Sequence, residues 1–133
     1  MTSDIPSVFF KISEDILNSI KGISYTVLID ERDREFKEGW IRTGIGRSYY
    51  AAFLIARRTL DLDYLTTGEV HREVIEKLRE ADSHSANKLR TLRDLRNQAD
   101  YDMRRGFDEK ELEYAVELSR DIIERITAHS NQH

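Results

Sequence analysis

Residues 40–60 read WIRTGIGRSYYAAFLIARRTL. Ile41, Ile45, Tyr49, Ala52, Ala56 and Leu60 recur at intervals of three and four, with Phe53 beside them, which is the spacing of one helix face and not of a strand. Tyr49 and Tyr50 point about 100° apart on such a helix, so only one of them faces the core. Gly44 and Gly46 leave the first turn of the segment open.

Outward from this helix the same period continues in both directions. Upstream, Phe9, Ile12, Ile16 and Ile20 form a stripe that Gly22 ends. Ser24 then offers an N-cap for a second segment carrying Tyr25, Leu28, Ile29 and Phe36, closed by Gly39. The run YTVLI at 25–29 is the one stretch with strand character, and its place in a helical pattern makes it helix. Downstream come Val70, Val74, Ile75 and Leu78, then a stripe through Leu89, Leu92, Arg96, Ala99 and Met103 that Gly106 stops. Asp108 caps a final helix whose inner face is Leu112, Ala115, Ser119, Ile122, Ile123 and Ile126. Short connections between amphipathic helices favour antiparallel neighbours. The expected fold is therefore all-α, an up-and-down bundle of four to five helices with an extra N-terminal helix.

A length of 133 residues suits one domain, here 1–133, with a core from about 24 to 128. With a single proline, six glycines and no cysteine, collagen-like, low-complexity and disulfide-built classes are excluded, as is thiol chemistry. The expected location is cytoplasmic, since no apolar run is long enough for a bilayer and Met1–Phe10 lacks the features of a signal peptide. No membrane contact is expected. The four histidines share no ligand spacing, so neither a metal nor a cofactor is expected.

Net charge is −4, but its distribution is uneven. Residues 40–60 hold Arg42, Arg47, Arg57 and Arg58 and no acid, and residues 86–105 carry a net +3, whereas residues 108–129 carry −4. Two basic helices in an acidic chain either pair with acidic neighbours or present a face to phosphates.

Arg96 stands on an apolar stripe between Leu92 and Ala99, where a leucine would be ordinary. A guanidinium there must be paired, line a cleft or face another subunit, because a lone buried charge is too costly. Asp100, four residues on, is within reach, and Asn97 and Tyr101 form the adjacent row. Arg93, Arg47 and Tyr50 join Asp100 as candidate binding residues.

In order along the chain, Arg47-Ser-Tyr-Tyr-Ala-Ala-Phe53, His71 at the start of the next helix, and Leu95-Arg-Asn-Gln-Ala-Asp-Tyr101 resemble the HEPN superfamily. The resemblance is to its small single-domain prokaryotic proteins, with signatures R-x-Y-Y-A-x-F and R-x-x-A-D-Y. It implies a helical bundle, commonly a homodimer, often encoded beside a small nucleotidyltransferase in a toxin–antitoxin-type pair. Many members are metal-independent ribonucleases whose site is an arginine, a polar residue and, four to six residues beyond the arginine, a histidine. Arg96 and Asn97 match the first two elements, but positions 101–103 are Tyr, Asp and Met. Cleavage through the ribose 2′-hydroxyl needs a general acid and base, which histidine supplies most readily. Arg96, Asn97, Tyr101 and His71 are accordingly the catalytic candidates, with His71 or Tyr101 in place of the missing histidine.

Three functions follow. One is a HEPN-type module that binds RNA, a nucleotide or a protein partner without cutting RNA. Another is a metal-independent ribonuclease with a variant site around Arg96. The third is a structural dimerisation domain in which Arg96–Asp100 is an internal bridge.

Overall fold

The computed structural model describes residues 4–21 and 31–130. Five helices account for them: α1 (Ile5–Lys21), α2 (Glu31–Thr59), α3 (Val70–Ala81), α4 (Ser83–Tyr101) and α5 (Glu109–Ser130), and no strand occurs among the described residues. The all-α bundle is as expected.

Helix α2 is the spine. It runs unbroken for 29 residues, about 43 Å, through Gly39, Gly44 and Gly46. The expected break at Gly39 is therefore wrong, and residues 31–38 belong to the same helix as Trp40–Thr59. Each interior glycine costs roughly 1 kcal/mol of helix propensity. Burial of Ile41, Ile45, Tyr49, Ala52, Phe53 and Ala56 along the same helix outweighs that cost. The expected Ser24 cap and the helix over Tyr25–Ile29 lie outside the described residues.

Pairs of contacts fix how the helices run. Arg42 reaches the carbonyl of Ala99 while Tyr50 meets Arg96, so α2 and α4 are antiparallel. Asp82 pairs with Arg125 and Lys88 with Asp121, which sets α4 against α5 in the same sense. Ser119 Oγ donates to the carbonyl of Ser48 at 2.7 Å, and a Cβ on Gly44 would stand 2.7 Å from Leu112, so α2 and α5 run parallel and close. Gly44 is the position where this approach requires the missing side chain.

Helix α1 packs along α2 and α5 and places Ile16, Leu17 and Ile20 in the common core. Its inward row is Ser13, Ile16, Leu17 and Ile20, and Ile12 faces outward, contrary to the expected stripe. Ile16 and Ile20 of the expected stripe do face the core, and Ser13, whose hydroxyl donates to the Phe10 carbonyl at 2.7 Å, takes the inward place expected for Ile12.

Two loops are held by arginines. Arg57 donates to the carbonyls of Leu62, Asp63 and Leu65, tying down the α2–α3 connection where Asp61 takes a positive φ of 60°. Arg42 donates to the carbonyls of Ala99 (2.8 Å), Asp102 (3.1 Å) and Arg105, and packs 4.8 Å from the centre of the Phe107 ring. It thus takes up carbonyls that the end of α4 leaves open. Glu38 completes this clamp, accepting from Arg42 and from the Phe107 amide at 2.9 Å.

Helix α4 consequently stops at Tyr101, five residues before Gly106, and Met103 is an exposed turn residue and not part of its stripe. Between α3 and α4 a single residue, Asp82, serves as C-cap and N-cap at once. The expected cap of α5 is present in reciprocal form: Asp108 accepts from the Glu111 amide and Glu111 from the Asp108 amide, both at 3.1 Å.

Candidate phosphate-binding site

The site forms where the middle of α2 faces the C-terminal half of α4, with α1 and the start of α3 on its flanks. Its position follows from the tyrosine pair. Tyr49 is fully buried, and Tyr50, one residue on, is half-buried and turned toward α4. The Tyr50 hydroxyl accepts from Arg96 Nη2 at 3.0 Å, and the Arg96 guanidinium carbon lies 5.1 Å from the centre of the Tyr50 ring.

Arg96 is held on its remaining sides by its own helix. Nη1 donates to the Asn97 side-chain oxygen at 3.0 Å, and Nε stands 2.9 Å from an Asp100 carboxylate oxygen. That last contact is ionic: the Nε–H is not aligned on the oxygen and makes no hydrogen bond. The expected Arg96–Asp100 pair therefore exists, and at the same time Arg96 lines a cleft, with 17% of its side chain exposed.

This cleft has a volume of about 490 Å³ and is walled by Phe9, Thr43, Gly46, Arg47, Tyr50, Arg96 and Asp100. Arg47 lies over the Phe9 ring at 4.7 Å and has no carboxylate partner among the described residues. Two guanidinium groups and one carboxylate thus line one open cleft, a surplus of positive charge that favours an anion.

Of the residues expected here, the structure brings Arg47, Tyr50, Arg96, Asn97 and Asp100 together. Tyr101 sits at the edge, 73% exposed, its ring 5.9 Å from the Arg96 guanidinium. Phe9, Thr43 and Gly46 were not foreseen. Thr43, Gly46 and Tyr50 form one row of α2 at spacings of three and four, a signal available in the sequence, whereas Phe9 arrives from α1.

His71 is placed beside the cleft and not in it. Its ring stacks on Phe53 at 4.3 Å between centroids and meets Tyr50 edge-on at 6.1 Å. Nδ1 is 2.6 Å from the Tyr49 hydroxyl. Burial pushes the Tyr49 hydroxyl well above its usual range, partly offset by the charges of Arg93 and Arg96, so it keeps its proton. Burial also lowers the His71 pKa below 6.5, and Arg93, Arg96 and Arg57 lower it further. The fully buried Tyr49 hydroxyl has Nδ1 as its hydrogen-bond partner, so its proton is satisfied only where Nδ1 accepts and Nε2 carries the ring proton.

Arg93 is half-buried one turn before Arg96 and has no acid or hydrogen-bond partner among the described residues. The basic residues of α2 do not form one phosphate-facing surface, because Arg42 and Arg57 are committed to backbone carbonyls. No cluster of metal-ligating residues occurs among the described residues, and no described helix is long and apolar enough to cross a membrane.

Comparison with known proteins finds no family model, no curated protein and no solved structure that matches the chain.

Proposed function

We propose that this chain is a HEPN-type helical module that binds RNA through a backbone phosphate in the Arg47–Arg96 cleft without cleaving it. The observation that carries the reading is the Arg96 guanidinium, fixed by Tyr50, Asn97 and Asp100 in the wall of a cleft that it shares with Arg47. Guanidinium donors at the wall of an open cleft suit a phosphodiester, and the Phe9 and Tyr50 rings offer apolar faces to the attached nucleoside. The preference for RNA over other phosphates comes from the resemblance of the Arg47–Phe53 and Leu95–Tyr101 motifs. So do a homodimeric state and a nucleotidyltransferase partner in a toxin–antitoxin-type pair.

Binding without cleavage is favoured by the state of His71. In-line attack by a 2′-hydroxyl requires a base with a free lone pair. On His71 the Nδ1 nitrogen is engaged by the fully buried Tyr49 hydroxyl at 2.6 Å, and positions 101–103 supply no histidine in its place. The ribonuclease reading keeps one observation in its favour, the arrival of His71 from α3 next to the tyrosine that holds Arg96. A purely structural role accounts for the Arg96–Asp100 pair but not for Arg47, which has no acidic partner among the described residues.

The test is equilibrium binding of a fluorescent RNA to the wild type and to Arg96→Ala. Micromolar or tighter binding that weakens at least tenfold in the variant, and weakens with added salt, is the expected result. Equal affinity of the two proteins, or no binding by either, would remove this function.

A further inference from the structure

We propose that the groove between α1 and α2 seats an unpaired nucleobase against Trp40 and Phe36, beside the backbone phosphate in the Arg47–Arg96 cleft, so that the ligand is single-stranded RNA. The inference deepens the RNA-binding reading and rests on it for the strand that carries the base.

The groove has a volume of about 950 Å³, within the range of small-molecule sites. Ile12 and Ile16 of α1 and Phe36 and Trp40 of α2 give it an apolar lining. Phe36, Trp40, Thr43 and Arg47 follow one another along α2 at spacings of four, three and four, which makes them one row of the helix. Phe36 and Trp40 are 61% and 57% exposed, although side chains of this size ordinarily bury most of their surface. Exposed aromatic rings beside a basic cleft are the platform on which the bases of a single strand stack.

The groove and the phosphate cleft are continuous. Thr43 and Arg47 line both, so the two spaces meet along α2. At 1.5 Å per residue, Trp40 stands about 10 Å from Arg47 along the helix axis, within reach of a nucleoside attached to a phosphate held there.

Charge is graded along the same line. In the groove Asp15 and Asp33 balance Lys37 and Arg47, whereas in the cleft Arg47 and Arg96 outnumber Asp100. A nucleotide is graded in the same way, with an uncharged aromatic base at one end and an anion at the other. A phosphodiester also joins two nucleosides. Phe9 and Tyr50 line the space for one of them, and the groove beyond Thr43 receives the next. A base stacked on Trp40 has left any duplex, which is why the strand is single.

Trp40 is the only tryptophan of the chain, so its fluorescence reports on the groove directly. The test titrates the full chain with a short single-stranded RNA, the same RNA as a duplex, an abasic strand with equal phosphates, and free adenosine. The single strand should quench Trp40, and the duplex and the abasic strand should not. The abasic strand should also bind about fivefold or more weakly than the RNA. With a labelled RNA, Trp40→Leu and Phe36→Ser should each weaken the single strand to a similar degree and leave the abasic strand unchanged. Both side chains are exposed, so neither substitution disturbs the core.

No quenching by any probe, or equal affinity for the RNA and the abasic strand, would overturn the base site. RNA binding that depends on Arg96 but leaves Trp40 emission unchanged removes the base site and spares the RNA reading. Quenching by adenosine without any RNA binding does the reverse. Emission that changes with protein concentration alone, in step with a dimer that Trp40→Leu dissociates, would also overturn the proposal and make the groove a contact between two copies of the chain.

Discussion

Arg42 and Arg96 lie along the same seam between α2 and α4 and are equally withdrawn from water, with 15% and 17% of their side chains exposed. Their surroundings differ. Arg42 donates chiefly to main-chain carbonyls at the end of α4, acceptors whose position the fold determines. Arg96 is held by three side chains, Tyr50, Asn97 and Asp100, and one edge of its setting is open cleft. The difference separates a guanidinium that closes a turn from one that side chains hold at the wall of a cleft. Exposure alone does not distinguish them, but the kind of acceptor does.

Substitutions should widen the contrast. Arg42→Ala strands several carbonyls and frees the α4–α5 turn, and should cost about 3 kcal/mol, lowering Tm by roughly 10 °C in a calorimetric scan. A loss below 1 kcal/mol would mean that water replaces the clamp. Arg96→Ala should cost about 1 kcal/mol or less in stability and fall mainly on RNA affinity.

Asp82→Ala tests a second fixed contact. Asp82 caps α4 through the Ser85 amide at 3.2 Å and receives Arg125 on both carboxylate oxygens. Its removal should cost about 1–2 kcal/mol at pH 7. The Arg125 hydrogen bonds, with those from Ser85, hold the Asp82 carboxyl well below its usual 3.8. The unfolded chain then binds the proton first as pH falls, so this contribution is complete above about pH 5 and is lost on acidification through the 3.8 of the unfolded state toward the folded value. Urea unfolding from pH 6 to pH 3 should therefore fall less steeply in Asp82→Ala than in the wild type.

The smallest effect on stability is expected from Asp100→Asn, which removes a carboxylate that is 38% exposed. It should leave Tm nearly unchanged and tighten RNA binding about two- to threefold, because the cleft loses its one acid. Weaker binding in this variant would show that the pair positions Arg96, which would move Arg96 closer to the structural case represented by Arg42.

The two arginines also show where the sequence is readable. Local rules sufficed for the Asp108 cap of α5, for the division of labour between Tyr49 and Tyr50, and for the Arg96–Asp100 pair, since each lies within about one turn of helix. They failed at Gly39, where burial of the α2 core row overrides the helix-breaking preference of one residue. Nothing near Arg42 in sequence marks it as a clamp, because its acceptors lie about 60 residues away. The Tyr49–His71 bond is invisible for the same reason, and it decides how His71 is read. Ser13 shows a subtler failure: a serine on the core side of α1 looks polar until its own helix satisfies it.

The most direct test of the central claim is to incubate wild type and Arg96→Ala with a mixed RNA pool in EDTA and sequence both the bound RNA and any fragments. The account predicts intact RNA retained by the wild type and lost from the variant. Cleavage by the wild type that Arg96→Ala abolishes would contradict it and make the chain a ribonuclease whose proton-transfer groups remain to be found at His71 or Tyr101.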